Sequence, residues 1–218
     1  MQRLFDILLS FIALLVLLPL MFPIIIILKF SGEGEIFYIQ KRVGLYGKEF
    51  GLFKFATMLK DSPNIGAGDI TIHNDPRVLP FGKFLRKTKI NELPQLLNIL
   101  IGDMSIIGPR PMVPNTYLNY SIESQKILNT VRPGLSGIGS IFFRDEERFL
   151  LGIENPKEFY KENIIPYKSD LETWYIQNNS FSLYIKIIFV TAYVVVFPKS
   201  NIAEKLFKNI PKKPKFLD

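Results

Sequence analysis

The chain has 218 residues, of which 48% are hydrophobic, and it carries 27 Lys and Arg side chains against 20 Asp and Glu, a net charge of +7. This hydrophobic content is high for a purely soluble domain and indicates membrane contact, while the charge favours a polyanionic partner such as nucleic acid, anionic lipid or a phosphorylated substrate. The lack of cysteine and the single histidine, His73, exclude disulfides and thiolate catalysis and argue against a histidine-built zinc site or a Ser-His triad, so any metal must be held by oxygen ligands.

The first predicted element is an uncharged apolar segment, residues 7–28, between Asp6 and Lys29. About 20 apolar residues suffice to cross a bilayer. Pro19 and Pro23 lie past the middle of the segment, and each removes a backbone donor, which predicts a kink or break. A secretory signal peptide is an alternative, but the start is barely basic and no small-residue cleavage motif precedes Lys29. The residues alone leave open a straight span or a broken helix that enters and leaves on one face.

A short β-hairpin follows the apolar segment. Glu35–Gln40 and Phe50–Phe55 are rich in aromatic and β-branched residues, and Gly44 and Gly47 lie between them. Residues 61–69 carry two glycines, a proline and an asparagine, which indicates a surface loop.

An amphipathic helix is predicted from Asn91 onward, ended by Gly102. Pro94 is compatible with it only in the first turn, and Asn91 is then a natural cap with Glu92 beside the helix N-terminus. The apolar side chains fall at i, i+3, i+4 and i+7; they are Leu93, Leu96, Leu97 and Leu100.

Further helices are predicted at about 117–130 and 156–178. The stretch 183–197 is strongly apolar but contains Lys186, is stopped by Pro198 and is short for a membrane span, so we interpret it as an interfacial or core helix.

The C-terminal tail is basic, which suits either anionic lipid headgroups or a solvated, partly disordered end. No recognisable nucleic-acid-binding motif accompanies this charge. The tail lysines are Lys199, Lys205, Lys208, Lys212, Lys213 and Lys215.

Arginines next to prolines are candidates for phosphate binding. Gly108–Pro111 places Arg110 between two prolines, where the extended backbone presents the guanidinium with little entropy left to lose. Val131–Gly134 contains a second basic turn, and Lys41–Arg42 precedes Gly44. Each motif alone is more often a structural turn, but they occur together with Glu92 at a helix N-terminus, an environment that favours anions.

The string Lys87–Pro111, KTKINELPQLLNILIGDMSIIGPRP, closely resembles the central motif of the bacterial sugar transferases, the monotopic phosphoglycosyl transferases that initiate O-antigen, capsule, exopolysaccharide and glycoprotein glycan assembly. Other blocks resemble the family in the family's order, and the resemblance runs from about residue 3 to 197. These blocks are Arg3–Asp6, the proline-broken anchor, Gln40–Gly44, Phe53–Met58 and Val131–Gly134.

The resemblance implies a re-entrant helix broken at Pro19, with both ends and the globular part on the cytoplasmic face of the bacterial inner membrane. It also implies a ping-pong reaction, in which an Asp of an Asp-Glu pair attacks the β-phosphate of a UDP-sugar, UMP leaves, and the sugar phosphate passes to undecaprenyl phosphate with the assistance of Mg²⁺.

The sequence departs from the family pattern at the centre of the motif. Asn91 stands at the position of the nucleophilic Asp, so only Glu92 remains of the pair, and a neutral amide is a poor nucleophile. Ala56 stands where the family usually has a second basic residue after Lys54. The segment 137–147 also differs, and its carboxylates are candidates for metal ligands or a substitute nucleophile, or for a solvated helix start.

The predicted fold class is α+β and predominantly helical, a monotopic membrane protein with a compact cytosolic domain. Its parts are a re-entrant membrane helix at 1–29, a cytosolic catalytic domain at 30–182, and an interfacial helix with a basic tail at 183–218.

The predicted activity is phosphoglycosyl transfer, and the alternative is a catalytically silent relative that serves as a membrane scaffold or regulator of glycan assembly. The expected partners are a UDP-sugar, undecaprenyl phosphate and membrane lipid, with no nucleic acid; a homodimer is left open. The predicted site consists of Glu92 as catalytic carboxylate and Mg²⁺ ligand, Asn91 at the nucleophile position, and Arg86, Arg110, Arg132, Lys54 and Arg42 around the phosphates.

Overall fold

The computed structural model describes residues 1–65, 75–144, 146–198 and 200–217, so most of the predicted 61–69 loop lies outside the described residues, as do His73 and Lys199. The described chain is a mostly helical α+β structure, as predicted. Its helices are α1 Gln2–Lys29, α2 Pro80–Lys87, α3 Gln95–Ile101, α4 Pro114–Tyr117, α5 Ile122–Leu128, α6 Ile138–Phe142, α7 Pro156–Phe159, α8 Ile165–Gln177, α9 Phe181–Val196 and α10 Ile202–Leu206; its strands are β1 Phe37–Val43, β2 Glu49–Phe55, β3 Ser105–Ile107 and β4 Gly134–Ser136.

Helix α1 is long and apolar enough to cross a membrane. The helix is continuous through Pro19 and Pro23, so the predicted break at Pro19 is not confirmed. Large apolar side chains are exposed along the length of α1, and they include Leu4, Leu8, Leu15, Val16, Leu18, Phe22 and Ile27.

Both ends of α1 are docked on the globular part of the chain. Near its start, the buried Asp6 carboxylate accepts hydrogen bonds from the Ser105 hydroxyl (3.0 Å), the Ile106 N–H (2.9 Å) and the Tyr184 hydroxyl (2.7 Å). Near its end, the buried side chains of Met21, Ile24 and Leu28 pack in one apolar cluster with Phe55 and Leu85. The two ends of the apolar helix are therefore held by the same compact body.

The predicted hairpin is confirmed. Strands β1 and β2 are antiparallel, with Phe37 opposite Phe55 and Val43 opposite Glu49. The turn between them contains Tyr46 and Gly47 at positive φ.

Helix α3 is the support of the hairpin, but its boundary and buried face differ from the prediction. It begins at Gln95, after a 3₁₀ turn at Ile90–Glu92, and Asn91 makes no cap. Gly102, at φ +104, ends the helix as predicted.

The buried face of α3 contains the polar side chains of Gln95 and Asn98 with Leu96 and Ile99, while Leu97 is exposed. The Asn98 amide donates to the Gly51 carbonyl (2.8 Å), and its oxygen accepts from the Phe53 N–H (2.9 Å). These bonds compensate for the burial of a polar group that hydrophobic periodicity would place outside.

A short parallel pair, β3 and β4, was not predicted. Strand β3 leads directly into the Gly108–Pro111 motif, and β4 follows the Val131–Gly134 turn. The pairing therefore brings the two proline-flanked arginine motifs side by side.

Helices α8 and α9 carry the largest core cluster. The predicted helix at 156–178 is present as α7, a π-helical turn at Tyr160–Ile164 and α8. The predicted apolar stretch is α9, which buries Tyr184, Ile187, Val190 and Val194 in this cluster.

The described part of the basic tail is packed onto the same core rather than extended. Phe207 and Leu217 are buried in it, and the Tyr167 hydroxyl donates to the Pro211 carbonyl (3.1 Å). The aromatic ring of Phe216 packs on those of Phe149 and Phe159.

Candidate functional site

The centre of the candidate site is an ion pair between the loop after β3 and the turn before α3. An Arg110 guanidinium nitrogen lies 2.8 Å from Glu92 Oε1. The Glu92 side chain is 14% exposed, whereas that of Arg110 is 43% exposed. The guanidinium therefore neutralises Glu92 on one side and keeps donors available to solvent or a ligand.

Glu92 is ionised at any physiological pH. Burial raises the pKa of its carboxyl, but the positive charges of Arg110 and Lys54, the hydrogen bond from Arg110 and the charge of Lys89 outweigh burial and hold the pKa at about 2. A carboxylate in this state accepts hydrogen bonds and can bind a metal, and it needs no separate base to deprotonate it.

Lys54 lies on β2 in a strongly cationic environment. Burial and the charge of Arg42 lower the pKa of its ammonium well below the usual range; Glu92 acts in the opposite direction, while Arg110 and Arg86 lower it further. With Lys54 protonated, these side chains amount to four cations and one carboxylate, a net charge of +3. Such an unbalanced cluster is stabilised by a bound anion.

Arg42 on β1 connects the hairpin to the Arg110 loop. Its guanidinium donates to the Pro111 carbonyl (3.0 Å) and to Gln40 Oε1 (2.5 Å), and the Lys54 ammonium lies 3.4 Å from the same Gln40 oxygen. These contacts connect Lys54 on β2 with the loop that carries Arg110.

Arg86 and Arg132, the other predicted phosphate-binding residues, differ in position. Arg86 lies near the end of α2, contacts Met58 Sδ at 3.8 Å and acts on Lys54 as one of the four cations. Arg132 donates from Nε to the Gly102 carbonyl (2.8 Å), beyond the C-terminal end of α3, whereas Glu92 precedes the N-terminal end of that helix. The described contacts bring Arg86 to the Glu92 cluster but not Arg132.

Asn91 and Gln95 are buried polar side chains next to Glu92. Asn91 is 6% exposed and Gln95 is 2% exposed. Within the described part of the chain, Asn91 Oδ1 and Gln95 Nε2 have no hydrogen-bond partner. The amide oxygen at the predicted nucleophile position is thus buried, and no described residue donates a hydrogen bond to it.

A second charged group, not predicted as a unit, adjoins Arg110. The Lys168 ammonium on α8 lies 2.5 Å from Glu146 Oε1 and 3.1 Å from the Tyr160 hydroxyl. Glu146 and Tyr160 both act electrostatically on Arg110. Burial and the neighbouring Glu146 raise the pKa of the Tyr160 hydroxyl well above its usual range, so it remains a neutral donor.

Of these three residues, the sequence indicated only Glu146, as one of several acidic residues in the divergent segment 137–147. Lys168 and Tyr160 lie in a predicted helix with no motif to distinguish them from surface residues. Lys168 contacts Glu146, which is 22 residues away in the chain, and Tyr160, which is 8 residues away, and no local sequence pattern indicates either contact.

Among residues 1–65, 75–144, 146–198 and 200–217, no group of three or more His, Cys, Asp and Glu side chains is arranged to hold a metal ion. The cations around Lys54 suit the site chemically to binding an anion with several oxygens, and one ionised carboxylate, that of Glu92, is in contact with Arg110.

The model of the family described as "Bacterial sugar transferase" matches residues 1–198. The chain is 32% identical over 213 residues to the undecaprenyl-phosphate glucose phosphotransferase of Komagataeibacter xylinus, covering 91% of this chain and 36% of that protein. It is 36% identical over 196 residues to the UDP-glucose:undecaprenyl-phosphate glucose-1-phosphate transferase of Escherichia coli K12, covering 88% and 39%.

The chain is also 32% identical over 214 residues to the exopolysaccharide production protein ExoY of Rhizobium meliloti, covering 92% of this chain and 87% of ExoY. The chain thus spans well under half the length of the two glucose transferases but most of the length of ExoY. The family match over most of the sequence agrees with the resemblance of its central motif, and the chain belongs to the bacterial sugar transferase family.

Proposed function

We propose that this protein is a phosphoglycosyl transferase that moves a sugar 1-phosphate from a UDP-sugar to undecaprenyl phosphate and releases UMP. The observation that carries the proposal is the excess of cations over carboxylates around Lys54, because a diphosphate and a lipid monophosphate are the kinds of anion that such a cluster binds. The name of the Escherichia coli relative supports the same pair of substrates, and that of the Komagataeibacter xylinus relative supports undecaprenyl phosphate as one of them.

In this proposal, Glu92 is the catalytic carboxylate. Its low pKa keeps it ionised, and its contact with Arg110 places it beside the guanidinium that would hold the donor phosphate. Attack by a Glu92 oxygen on the β-phosphorus would form a carboxyl–phosphate bond as the bond to the UMP oxygen breaks. Transfer to the lipid phosphate would then restore the carboxylate.

Arg110, Arg86, Lys54 and Arg42 would stabilise the phosphate charge in both steps. Arg132 is retained as a more distant candidate, because its Nε is engaged with the Gly102 carbonyl.

Mg²⁺ fits this site only together with the substrate. It prefers carboxylate and phosphate oxygens and usually keeps several waters, so Glu92 would hold it, and Asn91 Oδ1, which has no partner among the described residues, is a second candidate ligand. When bound, the ion would neutralise phosphate charge. The excess of cations over carboxylates at this site repels free Mg²⁺, so we expect the ion to enter bound to the diphosphate.

The membrane placement belongs to the same proposal. Docking of both ends of α1 on one compact body argues against a straight span with the globular part on one side. The re-entrant arrangement with its break at Pro19 is taken from the family resemblance, because α1 is continuous through Pro19. The exposed apolar side chains of α1 would contact lipid at the cytoplasmic face of the inner membrane, where UDP-sugars are available.

The test is UMP release by the full chain in nanodiscs, with a panel of UDP-sugars, undecaprenyl phosphate and Mg²⁺. The proposal predicts release that requires the lipid acceptor and disappears in Glu92→Gln. UDP binding measured without Mg²⁺ should persist or tighten in Glu92→Gln, because the substitution removes a negative charge from a cationic site.

The alternative function is a catalytically silent membrane scaffold, and the observation that favours it is the amide at Asn91. Binding of UDP-sugar without UMP release from any donor, in both the wild type and Asn91→Asp, would support the scaffold and contradict the transferase.

A further inference from the structure

Gln40 on β1 lies between two cations of the candidate site. Side chains alternate between the two faces of a strand, so Gln40 and Arg42 lie on the same face of the hairpin. The residue directly opposite Gln40 is Leu52, which makes Lys54 a diagonal neighbour on that face. The Gln40 Oε1 atom accepts from an Arg42 guanidinium nitrogen at 2.5 Å and from the Lys54 ammonium at 3.4 Å. One amide oxygen therefore serves as acceptor for both cations.

The same arginine holds the loop that carries Arg110. The two residues that flank Arg110 are prolines without a backbone N–H, so they can be held by hydrogen bonds only at their carbonyl oxygens. The Pro109 carbonyl accepts from the Gly134 N–H (2.8 Å), and the Pro111 carbonyl accepts from the Arg42 guanidinium (3.0 Å). One of these two attachments thus depends on a side chain, and the shared amide oxygen orients that side chain.

The shared acceptor is an amide and carries no net charge. Two neighbouring cations repel each other, so a fixed partner is needed to hold both of them in one orientation. A carboxylate at position 40 would also provide an acceptor, but it would form ion pairs with the two cations and cancel part of the charge that attracts an anion. Gln40 orients the cations and leaves that charge unchanged.

We propose that Gln40 is a positioning residue, whose amide oxygen holds Arg42 against the Pro111 carbonyl and keeps Lys54 beside it, so that both cations are oriented for the donor diphosphate. The inference rests on the phosphate-binding roles proposed above for Arg42 and Lys54. Gln40 acts through these two side chains and does not itself contact the substrate.

The test is the affinity of the full chain in nanodiscs for UDP, measured by calorimetry. Gln40→Met keeps a similar side-chain length and removes the acceptor without a change of charge. Loss of the hydrogen bonds that orient two charged contacts should weaken UDP binding about tenfold. In a chain with methionine in place of both Arg42 and Lys54, Gln40→Met should have no further effect, because the groups that it positions are absent.

Two variants that each lower the net charge by one separate a local effect from a general one. Gln40→Glu retains an acceptor but cancels charge within the site, so it should weaken UDP binding about fivefold, and this loss should shrink as salt is added. The loss in Gln40→Met should persist in salt, because no charge is changed. Lys41→Gln lies on the opposite face of the hairpin and removes only a solvent-exposed pair with Glu49 at 3.6 Å. It should change the UDP affinity less than about twofold.

Wild-type affinity in Gln40→Met, or an equal loss in the presence and absence of the Arg42 and Lys54 side chains, would overturn the positioning role. Equal losses in Gln40→Glu and Lys41→Gln would also overturn it, because net charge rather than position would be the cause. If Gln40→Met does not fold, Gln40→Asn, which withdraws the oxygen by one methylene group, takes its place. A wild-type chain that binds no UDP would instead refute the proposed function, so the two failures are distinguishable.

Discussion

Replacement of Glu92 by glutamine should destabilise the fold, although the residue belongs to a candidate active site. Gln has nearly the same shape and imitates the protonated carboxyl group. It would leave Arg110, Lys54 and their cationic neighbours without the carboxylate that separates them. This outcome is the reverse of the usual finding that removal of a catalytic side chain relieves strain.

The size of the effect follows from the pKa of Glu92, which falls from an ordinary value of 4.5 to about 2. Because each pKa unit corresponds to about 1.4 kcal/mol, the ionised carboxylate contributes about 3 kcal/mol to the free energy of unfolding at pH 7. The folded-state pKa is the lower one, so this contribution is complete above pH 4.5 and is lost as the pH falls through 2. The side chain is mostly buried, which limits screening by solvent.

Thermal unfolding in nanodiscs, followed by circular dichroism at pH 7, measures this difference. For a chain of this length, about 3 kcal/mol corresponds to a decrease in Tm of roughly 6–12 °C. The matched control is Glu49→Gln, which removes a carboxylate from a solvent-exposed pair with Lys41 at 3.6 Å and should cost less than about 1 kcal/mol. A Glu92→Gln protein as stable as wild type would refute the reasoning.

Three further predictions concern ligand binding and turnover. Arg110→Lys should weaken UDP binding about tenfold in calorimetry, because lysine cannot make a bidentate phosphate contact. Arg132→Lys should change the UDP affinity less than about threefold, because the Nε of Arg132 is engaged with the Gly102 carbonyl. Equal losses of affinity in the two variants would contradict this ranking. Binding of UDP should raise the pKa of Lys54, so that the protein takes up protons as it binds. The binding enthalpy at pH 8 should then depend on the ionisation enthalpy of the buffer, and an enthalpy that is the same in all buffers would contradict proton uptake. Asn91→Asp combined with Ala56→Lys should raise the rate of UMP release more than Asn91→Asp alone, because the lysine balances the charge that the aspartate adds and the two departures from the family pattern are coupled in this way. Equal gains in the two variants would contradict this coupling.

The hairpin and the ends of α3 show what sequence patterns can predict. Alternating aromatic and β-branched residues around two glycines led to β1 and β2, and Gly102 correctly marked the end of α3. The buried face of α3 could not be predicted, because hydrogen bonds to β2 compensate for the burial of Asn98 and these bonds depend on tertiary structure. Strands β3 and β4 have three residues each, too few for a recognisable period.

The candidate site was predictable where arginine stands in a proline-flanked motif and where a carboxylate precedes a helix. Those two signals identified Arg110 and Glu92, but the ion pair between them was not predicted, because it depends on how the loop after β3 meets the turn before α3. The distant position of Arg132 does not, because it depends on how the β4 turn meets the end of α3.

Transfer of labelled sugar phosphate into lipid tests the central claim most directly. The full chain in nanodiscs would be given undecaprenyl phosphate, Mg²⁺ and UDP-sugars labelled in both the sugar and the β-phosphate, and the extracted lipid would be counted for both labels. We predict equal incorporation of the two labels by the wild type and none by Glu92→Gln. No labelled lipid from any donor, or incorporation that does not depend on Glu92, would contradict the account.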